Sequence, residues 1–142
     1  MCSVDSDFTS RQLLLALKAG LVLERGWSDN PRVLSLPLNL PAEKVPTLLS
    51  AVEALQRVPN VVAVVLGGSY ACGLARPGSD IDIGLYYRER SPFSVDEVRS
   101  VAETICGAGS NPIVTGTYEW GPWVNGGAWI QTRAGKVDFL LG

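Results

Sequence analysis

Apolar residues along the chain form patterns that predict strands in some segments and helices in others. The run Val61–Leu66 is short and entirely apolar, which is typical of a buried β-strand. In the segment Asp80–Arg88, apolar residues alternate with others, which predicts a second strand with one buried face. Apolar residues spaced three and four apart instead predict helices over about residues 11–24, over 41–58, and from Ser94 to the glycines at 107–109.

Local signals at the helix ends support these assignments. Pro41 suits the first turn of the second helix, whose apolar stripe we expect to be Val45, Leu48, Leu49, Val52 and Leu55. Ser94 and Glu97 have the spacing of a capping box at the start of the third helix. A further short helix is predicted near residues 69–75, directly after the first strand.

The sequence from residue 113 onward predicts mainly β-structure. Residues 113–119 have strand propensity, and a loop rich in glycine and tryptophan follows. Residues 128–133 and 136–141 then predict a β-hairpin whose turn is Ala134-Gly135. The order of elements predicts an α/β (α+β) fold with a small mixed β-sheet and helices packed on it. We divide the chain into an N-terminal helical extension, 1–40, and a core domain, 41–142.

Composition narrows the functional classes. The formal net charge is −2 without a basic cluster, so we expect no binding to long DNA. The sequence holds no apolar run long enough to span a bilayer and has three widely spaced cysteines, which together favour a cytoplasmic protein. It contains no histidine, so Ser-His and Cys-His catalytic pairs are excluded within this chain.

The candidate chemistry lies between the two predicted strands. A glycine-rich turn with a hydroxyl residue, Ser69, follows the first strand, and Asp80 and Asp82 open the second. Because alternate residues of a strand share a face, the two carboxylates should point the same way and require a cation between them. Oxygen ligands beside a phosphate-binding turn suit Mg²⁺, which predicts metal-assisted phosphoryl or nucleotidyl transfer.

At these residues the sequence resembles the DNA polymerase β-like nucleotidyltransferase superfamily. Its signature, Gly-Ser followed after ten residues by Asp-x-Asp, corresponds here to Gly68-Ser69 and Asp80-Ile81-Asp82. Ala71 and Gly73 fit the longer form of the motif. The resemblance covers about residues 42–141 and implies a palm-like α/β core with the active site on one surface of the sheet.

The resemblance also implies roles for individual residues. Asp138, in the C-terminal strand, would be the third catalytic and metal-binding carboxylate beside Asp80 and Asp82. Two Mg²⁺ ions would act with a nucleoside triphosphate, ATP being the first candidate. We expect the triphosphate to be bound by the turn and its neighbours, namely Gly67, Gly68, Ser69, Gly73 and Arg76.

Each assignment has a structural alternative. Asp80 and Asp82 form either a metal site or a solvated strand end, and Ser69 either binds phosphate or caps a helix. Glu119 is a weaker substitute for Asp138, and Cys72 more simply fills a position for a small residue. Substrate contact and a structural role both stay open for the other candidates, which are Tyr70, Arg76, Trp120, Trp123, Trp129, Arg133 and Lys136.

The expected function is therefore a Mg²⁺-dependent nucleotidyltransferase that moves a nucleoside monophosphate to a hydroxyl group and releases pyrophosphate. The acceptor is a protein, as for the minimal enzymes of toxin–antitoxin pairs, a small molecule, or an RNA end. The sequence stops soon after Asp138, which leaves three alternatives open: a minimal member of the superfamily, a truncated chain, or a site that a homodimer or a partner chain completes. The alternative is a catalytically idle nucleotidyltransferase-like domain that binds a nucleotide or a partner.

Overall fold

A seven-stranded mixed sheet, with helices packed against it, organises the part of the chain that the structure describes. The structure is a computed structural model that describes residues 22–24, 32–33, 39–88, 90–116, 119 and 126–141. The strands are β1 (Val22–Glu24), β2 (Arg32–Val33), β3 (Val61–Leu66), β4 (Ile81–Tyr87), β5 (Ile113–Val114), β6 (Gly126–Thr132) and β7 (Gly135–Leu141). A 3₁₀ turn (Ala42–Lys44) precedes the helices α1 (Val45–Gln56), α2 (Gly68–Cys72) and α3 (Val95–Ile105).

The strand order is β2-β1-β3-β4-β7-β6-β5. β4 and β7 are parallel, whereas the other neighbouring pairs are antiparallel. A parallel pair requires a crossover connection, and here α3 and the β5–β6 segment supply it. The predicted mixed sheet with packed helices is confirmed.

The core lies on one face of the sheet. Along β4 the side chains of Ile81, Ile83 and Leu85 are buried, with Asp82 between them on the opposite face. α1 packs against β3, α3 packs against β6, and the two helices contact each other. Full burial of aliphatic and aromatic side chains of this kind contributes roughly 1.5–3 kcal/mol each. The largest fully buried side chains are Tyr70, Phe139, Leu48, Leu55, Leu66, Ile81, Ile83, Leu85, Ile130 and Leu141.

Helix α1 forms much as predicted, with Pro46 in its first turn, where proline costs little. Its buried stripe is Leu48, Ala51, Val52 and Leu55. The prediction that Leu49 belongs to this stripe is wrong, because its side chain is 38% exposed. The stripe continues through Ala51 instead, three residues after Leu48, as the helical period requires.

The structure corrects four further expectations. Val22–Glu24, at the end of the helix predicted over 11–24, forms β1, where pairing with β3 outweighs local helical propensity; the rest of that segment, 11–21, lies outside the described residues. Ser94 precedes α3, but its side chain makes no capping hydrogen bond. The hairpin turn consists of Arg133-Ala134, since Thr132 pairs with Gly135. The strand expected over 113–119 is described as a strand only at Ile113–Val114.

Within the described residues, no helix has both the length and the apolar character needed to cross a membrane. The boundary expected near residue 40 stays a prediction, although β1 and β2 belong to the same sheet as the core strands.

Candidate active site

The glycine-rich turn connects β3 to β4 through the short helix α2. Gly67 precedes α2, and its backbone N–H donates a hydrogen bond to the carbonyl oxygen of Asp82 (2.7 Å). Gly73 ends the helix in the left-handed conformation (φ 72°), which glycine adopts without steric cost. The turn is therefore attached to the strand that carries the carboxylates. The predicted short helix is present but begins at Gly68 and ends at Cys72.

Gly68 allows the turn and the carboxylate of Asp82 to approach closely. Its φ of +61° lies in the left-handed region, and a Cβ at this position would overlap with Oδ2 of Asp82. No other residue type fits here without displacing Asp82 or the backbone. Ser69 follows at the second position of α2, and the residue before the helix is Gly67, so Ser69 is not its N-cap.

Strand pairing brings together two carboxylates that are far apart in the sequence. Asp82 on β4 is in register with Asp138 on the parallel strand β7. Asp138 is 8% exposed, which makes it one of the two buried charged residues in the described core. Trp129 on β6 is in turn paired with Asp138, so an aromatic side chain lies on the same face beside the carboxylate.

Lys136 joins this cluster and connects two of its acids. Its ammonium nitrogen lies 3.4 Å from Oδ2 of Asp80 and 3.1 Å from Oδ2 of Asp138. The Lys136 side chain is 38% exposed, so it reaches the carboxylates from the solvent side. The structure therefore brings together the carboxylates of Asp80, Asp82 and Asp138, and this cluster also includes the ammonium group of Lys136.

The electrostatics of the cluster follow from this crowding. Burial raises the pKa of Asp82 above its usual value, the negative charges of Asp138 and Asp80 raise it further, and Lys136 partly opposes the shift. The hydrogen bond to Asp138 raises the pKa of Lys136, as do its contacts with Asp80. Three carboxylates with one ammonium leave negative charge that the described side chains do not neutralise.

The cluster offers the type of donor atom that a hard divalent cation uses. Oδ1 of Asp138 is a buried oxygen without a hydrogen-bond partner among the described residues, and such an atom is costly unless something pairs with it. Carboxylate oxygens are the ligands that Mg²⁺ prefers. No group of three or more Asp, Glu, Cys or His side chains within the described residues has the arrangement of a preformed metal site. The ammonium group of Lys136 is paired with Asp80 and Asp138, so it already supplies one positive charge to the cluster.

Sequence reasoning missed Lys44, which supports the loop before Asp80. The Lys44 side chain is buried (4% exposed), and its ammonium donates a hydrogen bond to the carbonyl oxygen of Ser79 (2.5 Å). The same nitrogen lies 5.7 Å from the centre of the Tyr70 ring, within cation–π range. Lys44 therefore links the 3₁₀ turn to both ends of the motif. Only its position before an apolar helix signalled it in the sequence, and such lysines are usually solvated.

The loop between α2 and β4 is also closed by its own hydrogen bonds. The backbone N–H of Arg76 donates to Oγ of Ser79 (2.8 Å), and that of Ser79 donates to the Arg76 carbonyl oxygen (2.9 Å). The hydroxyl group of Tyr70 reaches the same carbonyl oxygen (3.4 Å). Arg76 itself is exposed at the edge of this loop.

The remaining candidates have surroundings of their own or lie outside the described residues. The carboxylate of Glu119 accepts a hydrogen bond from the backbone N–H of Gly116 (2.7 Å), so it organises its own loop. Cys72 is an exposed free thiol. Trp120 and Trp123 lie outside the described residues.

One comparison with known proteins gives a match. Residues 47–108 match the family model described as a nucleotidyltransferase domain. No curated protein and no solved structure matches the chain significantly. The match includes the turn, Asp80 and Asp82, and ends before Asp138. The resemblance predicted from the sequence is therefore confirmed for this part of the chain, consistent with a polymerase β-like nucleotidyltransferase.

Proposed function

We propose that the nucleotidyltransferase domain matched over residues 47–108 transfers a nucleoside monophosphate from a triphosphate to a hydroxyl group, with Asp138 completing its site. The observation that carries this proposal is the register of Asp82 with Asp138, beside the Gly68 turn. The family match supports transferase chemistry of this general kind.

Asp80, Asp82 and Asp138 would hold the Mg²⁺ ions. When bound, these ions supply positive charge that offsets the charge developing on the phosphate oxygens. The turn Gly67–Gly73 would bind the triphosphate through backbone N–H groups and the hydroxyl group of Ser69, because successive N–H groups in a turn make an anion-binding concavity. Arg76, which is exposed, would bind the outer phosphates.

The reaction requires an in-line displacement at the α-phosphorus. The acceptor hydroxyl oxygen forms a bond to this phosphorus, and the bond to the oxygen that bridges the α- and β-phosphates breaks. Pyrophosphate leaves with that electron pair. Asp138, the most buried of the three carboxylates, would accept the hydroxyl proton. Positioning and charge neutralisation then account for the catalysis.

Isothermal titration with ATP, GTP, CTP and UTP, with and without Mg²⁺, tests the proposal. ATP is the first candidate, and binding should require the metal and disappear in an Asp80→Asn/Asp82→Asn double variant. The control is Asp96→Asn, which removes an exposed acid from α3. Failure of every triphosphate to bind the wild type in the presence of Mg²⁺ would exclude this function for the chain tested.

The acceptor is a protein, a small molecule or an RNA end, and we propose no order among them. Transfer of label from the α-phosphate of the bound triphosphate to each class distinguishes them. A toxin–antitoxin role, in which a partner protein is the acceptor, is one form of the first class. A dimer or partner chain that completes the site would appear in light scattering.

An idle domain that binds a nucleotide without transfer is the second candidate. The pairing of Lys136 with Asp80 and Asp138 favours it, because an ammonium group that stayed there would exclude a metal. Triphosphate binding that is independent of Mg²⁺, without transfer of label, would support this candidate.

A further inference from the structure

Lys136 and Asp138 lie on the same face of β7, two residues apart, so the lysine side chain reaches along the strand toward the acid. The ammonium group also spans to Asp80 on the neighbouring segment, at the distances given above. Each carboxylate offers Lys136 its Oδ2 atom, and Oδ1 of Asp138 stays unpaired and buried among the described residues.

These contacts place a positive charge beside the carboxylates that a divalent cation would use. A lysine ammonium is a compact point charge on a flexible stem, so it can neutralise carboxylates and also withdraw from them. The exposed fraction of its side chain, 38% against 12% for Asp138, leaves it a path toward solvent that the acid lacks. An ion bound at Asp80 and Asp138 would repel an ammonium group that remained between them.

We propose that Lys136 is an internal counter-cation that stabilises Asp80 and Asp138 in the metal-free protein and must leave them when a divalent cation binds. This inference rests on the proposed function, because it assigns the same carboxylates to the metal. It makes Lys136 a residue that lowers metal affinity, the opposite of what a residue that merely supports the site would do.

Binding of Mn²⁺ alone, measured by titration calorimetry without nucleotide, tests the inference. Removing the competing charge in Lys136→Gln should tighten Mn²⁺ binding roughly 3- to 30-fold, the range expected from losing two partly exposed ion pairs. Lys136→Arg retains the charge and should stay near wild type. The matched control is Arg133→Gln, which removes a positive charge from the exposed turn of the same hairpin.

Nuclear magnetic resonance of the lysine side chains provides a readout in the wild type that does not depend on any variant folding. During a Mg²⁺ titration the Lys136 signal should shift as its carboxylate partners are taken, while that of buried Lys44 should not. Thermal unfolding provides a second readout. The melting temperature of metal-free Lys136→Gln should lie below that of wild type, and Mn²⁺ should raise it by more than it raises that of wild type.

The outcomes separate the two proposals. If Lys136→Gln binds Mn²⁺ with unchanged or weaker affinity, or if Mg²⁺ binds without moving the Lys136 signal, the counter-cation inference is overturned while the proposed function stands. If no protein binds Mn²⁺ alone, the inference is likewise overturned. Loss of triphosphate binding in the separate titration with Mg²⁺ would show that the proposed function has failed as well.

Discussion

Gly68 shows how a single residue type controls the geometry of the candidate site. Its positive φ and the space occupied by Asp82 both require glycine, for independent reasons. Two other glycines of the motif allow the effect of the backbone conformation to be distinguished from that of the contact with Asp82. Gly73 has a positive φ (72°), but a Cβ there would meet nothing within 4 Å, and Gly78 has neither constraint.

We therefore expect a graded response to alanine substitution. Gly78→Ala should be close to neutral, and Gly73→Ala should lose about 1 kcal/mol from backbone strain alone. Gly68→Ala should lose more, about 2–3 kcal/mol, and should also abolish triphosphate binding because Asp82 is displaced. Denaturant unfolding and calorimetry measure the two effects. Equal stability of Gly68→Ala and Gly73→Ala would show that the contact with Asp82 carries no cost.

The raised pKa of Asp82 predicts that this residue lowers the stability of the fold while serving the proposed function. A carboxyl group whose pKa is raised on folding stabilises the protein below its ordinary pKa of about 3.9, and this stabilisation is lost as pH rises through the raised value. Above the raised pKa, ionised Asp82 is therefore destabilising in the metal-free protein. Asp82→Asn should melt a few degrees above wild type at pH 7 while losing metal-dependent activity.

The pH dependence gives this prediction its control. The difference in melting temperature between Asp82→Asn and wild type should shrink as pH falls through the raised pKa of Asp82 and vanish below the ordinary aspartate pKa, where both side chains are neutral. Glu103→Gln, which replaces an exposed acid on α3, should show no such trend. A variant that is less stable than wild type at pH 7 would contradict the assignment.

At the scale of elements, Lys44 connects the 3₁₀ turn to the loop that presents Asp80. The hydrogen bond to Ser79 is charge-assisted and partly buried, and charge-assisted hydrogen bonds are the stronger class. Lys44→Met keeps most of the aliphatic stem but leaves the Ser79 carbonyl oxygen without this donor. We expect a loss of about 1.5–3 kcal/mol and faster hydrogen exchange across residues 74–80.

The neighbouring residue supplies the comparison. Glu43 belongs to the same 3₁₀ turn but is exposed, so Glu43→Gln should leave both stability and exchange unchanged. If Lys44→Met unfolds at the wild-type denaturant concentration and exchange in the loop does not change, Lys44 does not hold the loop in solution.

The whole sheet decides whether the site exists, because Asp82 and Asp138 meet only through the parallel pairing of β4 with β7. Ligands that bind only the folded site should therefore stabilise the entire molecule. At 100 times its dissociation constant, Mg²⁺-triphosphate should add about 2.7 kcal/mol to the free energy of unfolding. Denaturant titrations with and without ligand measure this increase.

Asp138→Asn is the informative variant for that measurement. It keeps the shape of the side chain on β7 but removes one charge from the cluster, so the fold should persist while the stabilisation by ligand disappears. A stabilisation that survives in Asp138→Asn would place the triphosphate on the turn alone, without the third carboxylate.

The sequence by itself determined the elements near the motif and pointed to the residues of the proposed site. The apolar run Val61–Leu66 matches β3 residue for residue, and alternation around Asp82 sufficed for β4, because one-sided burial imposes a period of two. The spacing of Gly68-Ser69 and Asp80-x-Asp82 identified the family whose model matches residues 47–108. These signals depend only on residues that are close together in the sequence, so they can be recognised without knowledge of the tertiary structure.

Only the tertiary structure decided what depends on residues distant along the chain. Parallel register brought Asp138 beside Asp82, burial turned Lys44 into a loop support, and the β7 side chain of Lys136 met Asp80. Pairing with β3 made Val22–Glu24 a strand, against its helical pattern. In each case the deciding energy comes from partners that local sequence does not specify, namely strand pairing, desolvation and the charge of neighbouring groups.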